Sequence, residues 1–226
     1  MSFKACIFDL DGTLCDSVES IACSANHALR DFGMKEATIE EYKVFVGDGV
    51  DTLIRRLLRF GGDEACEGFE KVRDRYMEYF KEGCLYNVKP YPGIVATLKE
   101  LKKQGAKIAV LSNKPDANTK NVIRTVFPEG NLFDWIQGQS EAFPKKPDPA
   151  GALHIAEQFG VKPEECMYLG DTSTDMKTGT AAGMYTVGVL WGFRDEQELR
   201  ENGSDAIARQ AEEIADIYRQ GGRLHD

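Results

Sequence analysis

Short apolar runs alternate with segments that have one apolar face over most of the chain. The apolar runs predict strands at residues 5–8, 108–111, 133–136, 166–169, 185–190 and 206–207. Segments with helical periodicity follow most of these strands and predict helices at residues 94–104, 116–126, 149–159, 175–182, 195–201 and 210–219. Strands and helices that alternate at this spacing are typical of an α/β protein, with a parallel sheet covered by helices on both faces.

The segment between the first two predicted strands is much longer than one crossover helix requires. Its apolar patterns predict four helices before residue 88, at residues 18–32, 39–44, 50–60 and 64–81. A structureless connection of that length would be unusual inside a compact domain. We therefore predict a helical cap domain at 16–88, inserted into a core domain made of 1–15 and 89–226. Such an insertion would lie over the strand ends as a lid.

Composition narrows the functional classes. The chain has 226 residues, with 37 acidic and 28 basic side chains and a net charge of −9. An acidic surface of this kind repels polyanions, so we expect no nucleic-acid partner. We also expect no membrane partner, because no apolar run is long enough to span a bilayer. The cysteines lack disulfide-like or metal-ligand spacing, and the chain starts without a signal-peptide pattern, so we expect reduced thiols and a cytoplasmic location.

Two aspartates lie where the first predicted strand ends. They are Asp9 and Asp11 in the sequence FDLDGTL, which continues through Gly12 and Thr13 into a turn. In parallel α/β sheets, ligands bind just beyond the carboxyl ends of the strands, so these carboxylates are candidates for a functional site. Considered alone, this short pattern also fits an N-terminal strand followed by acidic turn residues.

Three further polar stretches come near the ends of later strands or the starts of helices. They contain Ser112 and Asn113 in LSNK, Lys146 in KKPDP, and Asp171 and Asp175 in GDTSTD. Each has an ordinary structural alternative: a helix N-cap for the serine, a solvated basic loop for the lysine, and a charge favoured by the helix dipole for the last aspartate.

Together the four stretches favour phosphoryl transfer. Carboxylates that converge on one site repel one another unless a cation lies between them, and an all-oxygen ligand set suits Mg²⁺. A lysine, a hydroxyl group and backbone amides at the same edge suit the oxygens of a phosphoryl group. A carboxylate nucleophile completes the set of groups that this chemistry requires.

The four stretches, in this order, resemble the motifs of the haloacid dehalogenase-like hydrolase superfamily over essentially the whole chain. The resemblance implies a Rossmann-like parallel core with an inserted all-α helical cap domain. The sequence FVGDGVDTLI at 45–54, and the tail sequences LWGF and GSDAI, are similar to the phosphoglycolate phosphatase branch. The superfamily resemblance implies an Mg²⁺-dependent phosphatase that acts through an aspartyl-phosphate intermediate, and the branch resemblance implies phosphoglycolate as the substrate.

The resemblance also implies roles for individual residues. Asp9 would be the nucleophile and Asp11 the general acid and base. The metal ligands would be Asp9, Asp11 (through its backbone carbonyl) and Asp171, with Asp175 supporting the metal site or orienting Lys146. The phosphate-binding residues would be Thr13, Ser112, Asn113 and Lys146. Candidates for substrate recognition in the cap are Lys43, Gly47, Asp48, Gly49 and Arg55. From residue type alone, Lys43, Arg55 and Arg56 could meet a substrate carboxylate, although solvated helix charges are the more common role of such residues.

Other functions stay open from sequence alone. A sugar phosphomutase needs the same acids, and a phosphatase for a sugar phosphate, a nucleotide or pyrophosphate would carry the same motifs. A catalytically silent binding homologue is the non-enzyme alternative, although all motif residues are intact. In each case we expect a small phosphorylated metabolite as the partner, bound by a monomer or a homodimer.

Overall fold

The computed structural model describes residues 2–222, so the first residue and the last four residues of the predicted core domain lie outside this range. The strands in the described part are β1 (Ala5–Phe8), β2 (Cys15–Asp16), β3 (Lys89–Pro90), β4 (Lys107–Pro115), β5 (Trp135–Gln139), β6 (Cys166–Gly170), β7 (Tyr185–Val189) and β8 (Ala206–Ala208). Six of them form a parallel sheet in the order β5-β4-β1-β6-β7-β8. The predicted α/β fold is confirmed.

The helices of the described residues follow the sequence pattern closely. They are α1 (Val18–Asp31), α2 (Ile39–Phe45), α3 (Val50–Phe60), α4 (Phe69–Gly83), α5 (Ile94–Lys103), α6 (Asp116–Val126), α7 (Ala150–Phe159), α8 (Ser173–Ala181), α9 (Glu196–Glu201) and α10 (Glu213–Gln220). The largest difference is α4, which begins at Phe69 rather than residue 64. The Asp63 carboxylate accepts hydrogen bonds from the N–H groups of Glu67 and Gly68, and this holds the preceding residues in turns.

Both faces of the sheet are buried, as a parallel sheet requires. On β1, Cys6 and Phe8 pack into the apolar cluster formed with α5, α6 and α10. The alternate residues, Ala5 and Ile7, face the other way and pack with α7. This explains why the strands appear in the sequence as continuous apolar runs rather than as alternating patterns. The functional side chains are therefore confined to the strand ends.

Helices α1–α4, which we call the helical segment, have an apolar cluster of their own. Tyr42, Leu57, Tyr76 and Phe80 are each at most 1% exposed within it. The chain leaves the sheet through β2 and returns through β3, and these two strands pair side by side as an antiparallel ribbon. Sequence reasoning missed this ribbon because strands of two residues have no detectable periodicity. No helix among residues 2–222 is long and apolar enough to cross a membrane.

Candidate active site

Asp9 lies at the carboxyl end of β1, between the ends of β4 and β6. Its side chain is almost completely buried, since the residue is only 5% exposed. Its backbone N–H donates to the carbonyl oxygen of Leu169 at 2.9 Å, which continues the pairing of β1 with β6. The first motif therefore places a carboxylate at the centre of the edge where parallel sheets bind ligands.

Lys146 forms ion pairs with two of the motif carboxylates. Its Nζ lies 2.8 Å from Asp9 Oδ1 and 2.7 Å from Asp175 Oδ1. Burial lowers the pKa of Lys146, but the charges of Asp175 and Asp9 reverse this and hold its pKa well above the ordinary value. Asn113 holds the lysine's loop in place, since its side chain accepts from the Lys146 N–H and donates to the Lys146 carbonyl. Lys146 is therefore a buried cation and not part of a solvated loop.

Asp171 is held in a fixed position at the end of β6. The Thr13 hydroxyl donates to Asp171 Oδ1 at 2.9 Å, and the Phe193 N–H donates to Asp171 Oδ2 at 2.8 Å. Gly12 has φ +87, and a Cβ there would lie 2.2 Å from the Asp171 carboxylate, so only glycine fits. Thr13 was predicted to bind phosphate; in this structure its buried hydroxyl donates to Asp171.

Three buried carboxylates form a candidate metal site. Asp9, Asp171 and Asp175 each offer an oxygen, and these oxygens lie within 4.8 Å of one another. Burial and the charge of Asp175 raise the pKa of Asp9 to about 7, although Lys146 opposes the shift. Burial, Asp175 and Asp9 likewise raise the pKa of Asp171. The carboxylates therefore carry more negative charge than Lys146 balances, and an all-oxygen set of this kind fits a hard divalent cation.

The raised pKa of Asp9 predicts how an Asp9→Asn variant changes stability without metal. The pKa of Asp9 is about 7 in the folded protein, and its ordinary value is 3.8. Because the folded protein disfavours the ionised carboxylate, the free energy of unfolding falls as the pH rises above 3.8, and the loss is complete above pH 7. We expect Asp9→Asn to raise Tm at pH 8 and to change it little at pH 4. Thermal denaturation in excess chelator from pH 4 to 8 measures this difference. A Tm difference that does not change with pH would contradict the prediction.

Asp11 is paired with a lysine that the sequence analysis did not select. Lys114 Nζ donates to both carboxylate oxygens of Asp11, at 2.6 and 2.8 Å, and the Ser17 hydroxyl donates to Asp11 Oδ1 at 2.5 Å. Ser17 is the N-cap residue of α1, but its side chain makes no capping hydrogen bond. Nothing in the sequence separates Lys114 from a surface lysine except its place directly after Ser112 and Asn113.

A cavity lies between the sheet edge and the helical segment. On the sheet side it is bordered by Asp9, Asp11, Ser112, Asn113 and Lys114. On the other side is an apolar wall that consists of Ile21, Val46, Val50, Leu53, Tyr76 and Phe80. Ser112 borders the cavity and its hydroxyl accepts from the Lys114 N–H at 3.2 Å, whereas α6 begins at Asp116 with Pro115 as its N-cap, so Ser112 is not the cap of that helix.

The predicted cap residues divide into two groups. Gly47 and Gly49 border the cavity, and Asp48 between them accepts a hydrogen bond from the Thr174 hydroxyl on α8. Burial alone would raise the pKa of Asp48, but hydrogen bonds from Thr174 and Arg56 hold it below its ordinary value. This loop therefore connects the helical segment to α8 through an ionised carboxylate.

The other two cap candidates lie outside the set of residues that line the cavity. Lys43 pairs with Glu40 at 2.8 Å on the surface. The Arg55 guanidinium lies 3.9 Å from the centre of the Phe69 ring. The structure thus does not bring Lys43 and Arg55 together with the motif residues, because α2 and α3 direct them toward neighbouring helical residues.

Comparison with known proteins connects this geometry to a family. A sequence model described as haloacid dehalogenase-like hydrolase matches residues 6–189. The chain belongs to the haloacid dehalogenase-like hydrolase family. The match begins within β1 and ends with β7, so it spans the sheet edge that carries Asp9, Ser112, Lys146 and Asp171.

Curated relatives of the chain include phosphoglycolate phosphatases. The phosphoglycolate phosphatase of Aquifex aeolicus is 35% identical over 194 residues, which cover 84% of this chain and 86% of the relative. That of Mannheimia succiniciproducens is 30% identical over 222 residues, which cover 96% of this chain and 97% of the relative. The predicted superfamily and the predicted enzyme class, a phosphatase of the haloacid dehalogenase-like hydrolase family, are confirmed.

Solved structures agree with the fold over nearly the whole chain. A structure from Haemophilus somnus, described as a predicted phosphoglycolate phosphatase, has a TM-score of 0.88 at 27% identity and covers 96% of this chain and 98% of its own. A predicted phosphatase from Clostridium acetobutylicum has a TM-score of 0.85 at 26% identity, with coverages of 97% and 100%.

Proposed function

We propose that the protein hydrolyses a small phosphomonoester, phosphoglycolate, in an Mg²⁺-dependent reaction with an aspartyl-phosphate on Asp9. The observation that carries the proposal is the position of the buried Asp9 carboxylate. It borders the cavity, forms an ion pair with Lys146 and belongs to the acidic cluster. The choice of phosphoglycolate is supported by the curated relatives that carry this name.

The proposed chemistry has two steps, each of which uses both acids of the first motif. In the first, a carboxylate oxygen of Asp9 forms a bond to phosphorus and the bond to the ester oxygen breaks. Asp11 gives its proton to the leaving oxygen, which departs as an alcohol. In the second, Asp11 takes a proton from water, the water oxygen bonds to phosphorus, and inorganic phosphate leaves Asp9.

The remaining motif residues control charge around the phosphoryl group. The Ser112 hydroxyl, the Asn113 N–H and Lys146 would bind its non-bridging oxygens, where negative charge has to be stabilised. When bound by Asp9, Asp171 and the backbone carbonyl of Asp11, Mg²⁺ supplies positive charge that reduces repulsion between the Asp9 carboxylate and the phosphate. Thr13 supports this site through its hydrogen bond to Asp171, and Asp175 supports it by orienting Lys146.

In this proposal residues 16–88 act as a cap domain over a core made of the remaining residues. The cap would exclude water during the first step and contact the leaving group through the apolar wall. The partner would be a small phosphorylated metabolite and not a nucleic acid or a membrane, in keeping with a net charge of −9. We propose a monomer or homodimer located in the cytoplasm.

A phosphate-release screen tests the proposal. The panel contains phosphoglycolate, sugar phosphates, nucleotides and pyrophosphate, each with excess Mg²⁺ and with excess chelator. We expect phosphoglycolate to have the highest kcat/KM, and the chelator to lower activity at least ~10-fold until Mg²⁺ is restored. Full activity in chelator would contradict the metal requirement. A lack of preference for phosphoglycolate would contradict the substrate, and conversion of a sugar phosphate to its isomer would indicate a mutase.

A further inference from the structure

On the side where a leaving group would lie, the cavity has an apolar wall and very little charge. The apolar wall covers most of that side and offers no charge. Among the described residues that border the cavity, Lys114 is the one cationic side chain; Lys146 is not among them and forms its ion pairs with Asp9 and Asp175. Charge recognition of a leaving group at this wall would therefore depend on Lys114.

Lys114 has the environment of an anion-binding group. Its side chain is only 2% exposed, and its Nζ lies 5.0 Å from the centre of the Phe80 ring in the apolar wall. An ammonium group has three N–H donors, and two of them are directed to the carboxylate oxygens of Asp11. The third donor is available to an acceptor that enters the cavity. A buried ammonium makes strong hydrogen bonds to carboxylates.

The distance between Lys114 and Asp11 limits where such an acceptor can be. In the proposed reaction the leaving oxygen lies within hydrogen-bond reach of Asp11, about 2.7 Å away. Lys114 Nζ is 2.6 Å from Asp11 Oδ1, so the ammonium is within about 5 Å of the leaving oxygen. A carboxylate on the carbon that bears the leaving oxygen falls inside this distance. A carboxylate several bonds further away would be directed at the apolar wall.

We propose that Lys114 binds the carboxylate of the leaving group and selects phosphate esters of 2-hydroxycarboxylic acids. This inference rests on the proposed function, and it names the residue and the substrate class for that site. The simpler role is that Lys114 only positions Asp11. The two roles make different predictions, because a residue that only positions Asp11 affects every substrate equally.

Substrate discrimination in a Lys114→Met variant separates the two roles. The test compares kcat/KM for phosphoglycolate with kcat/KM for ethyl phosphate, which lacks the carboxylate. We expect the ratio of the two values to fall about 10²-fold in the variant, because one charged hydrogen bond is lost only with phosphoglycolate. Lys114→Arg, which keeps the charge, should retain more of the ratio than Lys114→Met does. Equal losses on both substrates would overturn the proposal.

Lys120→Met is the matched control. Lys120 is on α6 and pairs with Asp116, and its side chain is 41% exposed. The substitution also removes one positive charge near the end of β4, but Lys120 does not border the cavity. We expect the substrate ratio of this variant to equal that of the wild type. An equal fall in both variants would mean that the general field of the protein, and not Lys114, causes the discrimination.

Inhibition of the wild type provides a test that does not depend on the folding of any variant. Glycolate and its neutral analogue glycolamide compete with p-nitrophenyl phosphate for the leaving-group side. We expect glycolate to bind at least ~10-fold more tightly than glycolamide. Equal inhibition by the two compounds would overturn the proposal.

Failure of the proposed function gives a different pattern. Phosphoglycolate could prove a poor substrate while phospholactate is preferred over its neutral counterpart. If Lys114→Met removes that preference, the role of Lys114 stands and the substrate is corrected. If hydrolysis is metal-dependent but no carboxylate-bearing ester is preferred, the phosphatase stands and the proposal for Lys114 is wrong.

Discussion

The substitution Asp9→Asn is expected to lower kcat at least ~10³-fold, which corresponds to about 4 kcal/mol of transition-state stabilisation. Asparagine keeps the size and shape of the side chain but removes both the nucleophilic oxygen and a negative charge of the metal cluster. Phosphate release from the best substrate, measured at saturating substrate and Mg²⁺, gives the kcat of both proteins. An Asp9→Asn variant with more than a tenth of wild-type activity would exclude Asp9 as the nucleophile.

Two further measurements make this result specific to Asp9. Asp216→Asn removes an exposed carboxylate that pairs with Arg219 on α10, and it should leave kcat unchanged. Acid quenching of the wild type during turnover of a ³²P-labelled substrate should leave label on the peptide that contains Asp9. Label on another residue would contradict the proposed intermediate. The predicted rise of Tm at pH 8 in the same variant separates lost activity from lost folding.

The substitution Lys146→Met is expected to have the second largest effect. The ammonium is buried between Asp9 and Asp175, so its loss leaves two carboxylates without their cation. In the proposed mechanism it also removes a group that binds the phosphoryl oxygens. We expect kcat/KM to fall about 10³-fold, because electrostatic stabilisation of the transition state is lost. Removal of the cation from this buried cluster also costs about 3–5 kcal/mol of folding stability, whereas Asp9→Asn leaves Lys146 paired with Asp175. Steady-state kinetics and thermal denaturation in Mg²⁺ measure the two effects.

The kinetic part of this prediction needs folded protein, so activity is measured well below the Tm of the variant. Lys162→Met is the control, because Lys162 is 75% exposed and lies 3.9 Å from its nearest carboxylate, Glu164. We expect neither kcat/KM nor Tm to change in the control. A folded Lys146→Met protein with activity near that of the wild type would show that Lys146 balances charge in the fold without contacting the phosphoryl group.

The local pattern of apolar and polar residues was sufficient to predict most of the strands and helices. The strand at Ala5–Phe8 and the helices at Val50–Phe60 and Asp116–Val126 have the predicted bounds, because burial on both faces or on one face leaves a clear periodicity. The differences occur where partners distant in sequence set the ends. β4 continues to Pro115 because it pairs with β5 as far as Gln139, and the β2–β3 ribbon depends entirely on pairing across the helical segment.

The candidate active site also has some features that local sequence predicted and others that depend on distant partners. The motifs identified Asp9, Lys146, Asp171 and Asp175 as residue types that suit phosphoryl transfer, and the fold brings them within a few ångströms of one another. The motifs did not indicate that the Thr13 hydroxyl is used by Asp171. They also gave no means to decide which basic residues of the helical segment reach the cavity.

The sequence by itself therefore determined the fold class, the family and the order of the chemical groups along the sheet edge. These properties follow from periodicity and from residue type at strand ends, which are local in the chain. Only the tertiary structure decided that Lys114, rather than Lys43 or Arg55, faces Asp11 and the cavity. The physical reason is that a lysine's direction depends on the acceptor it meets, and Asp11 is 103 positions away in the sequence.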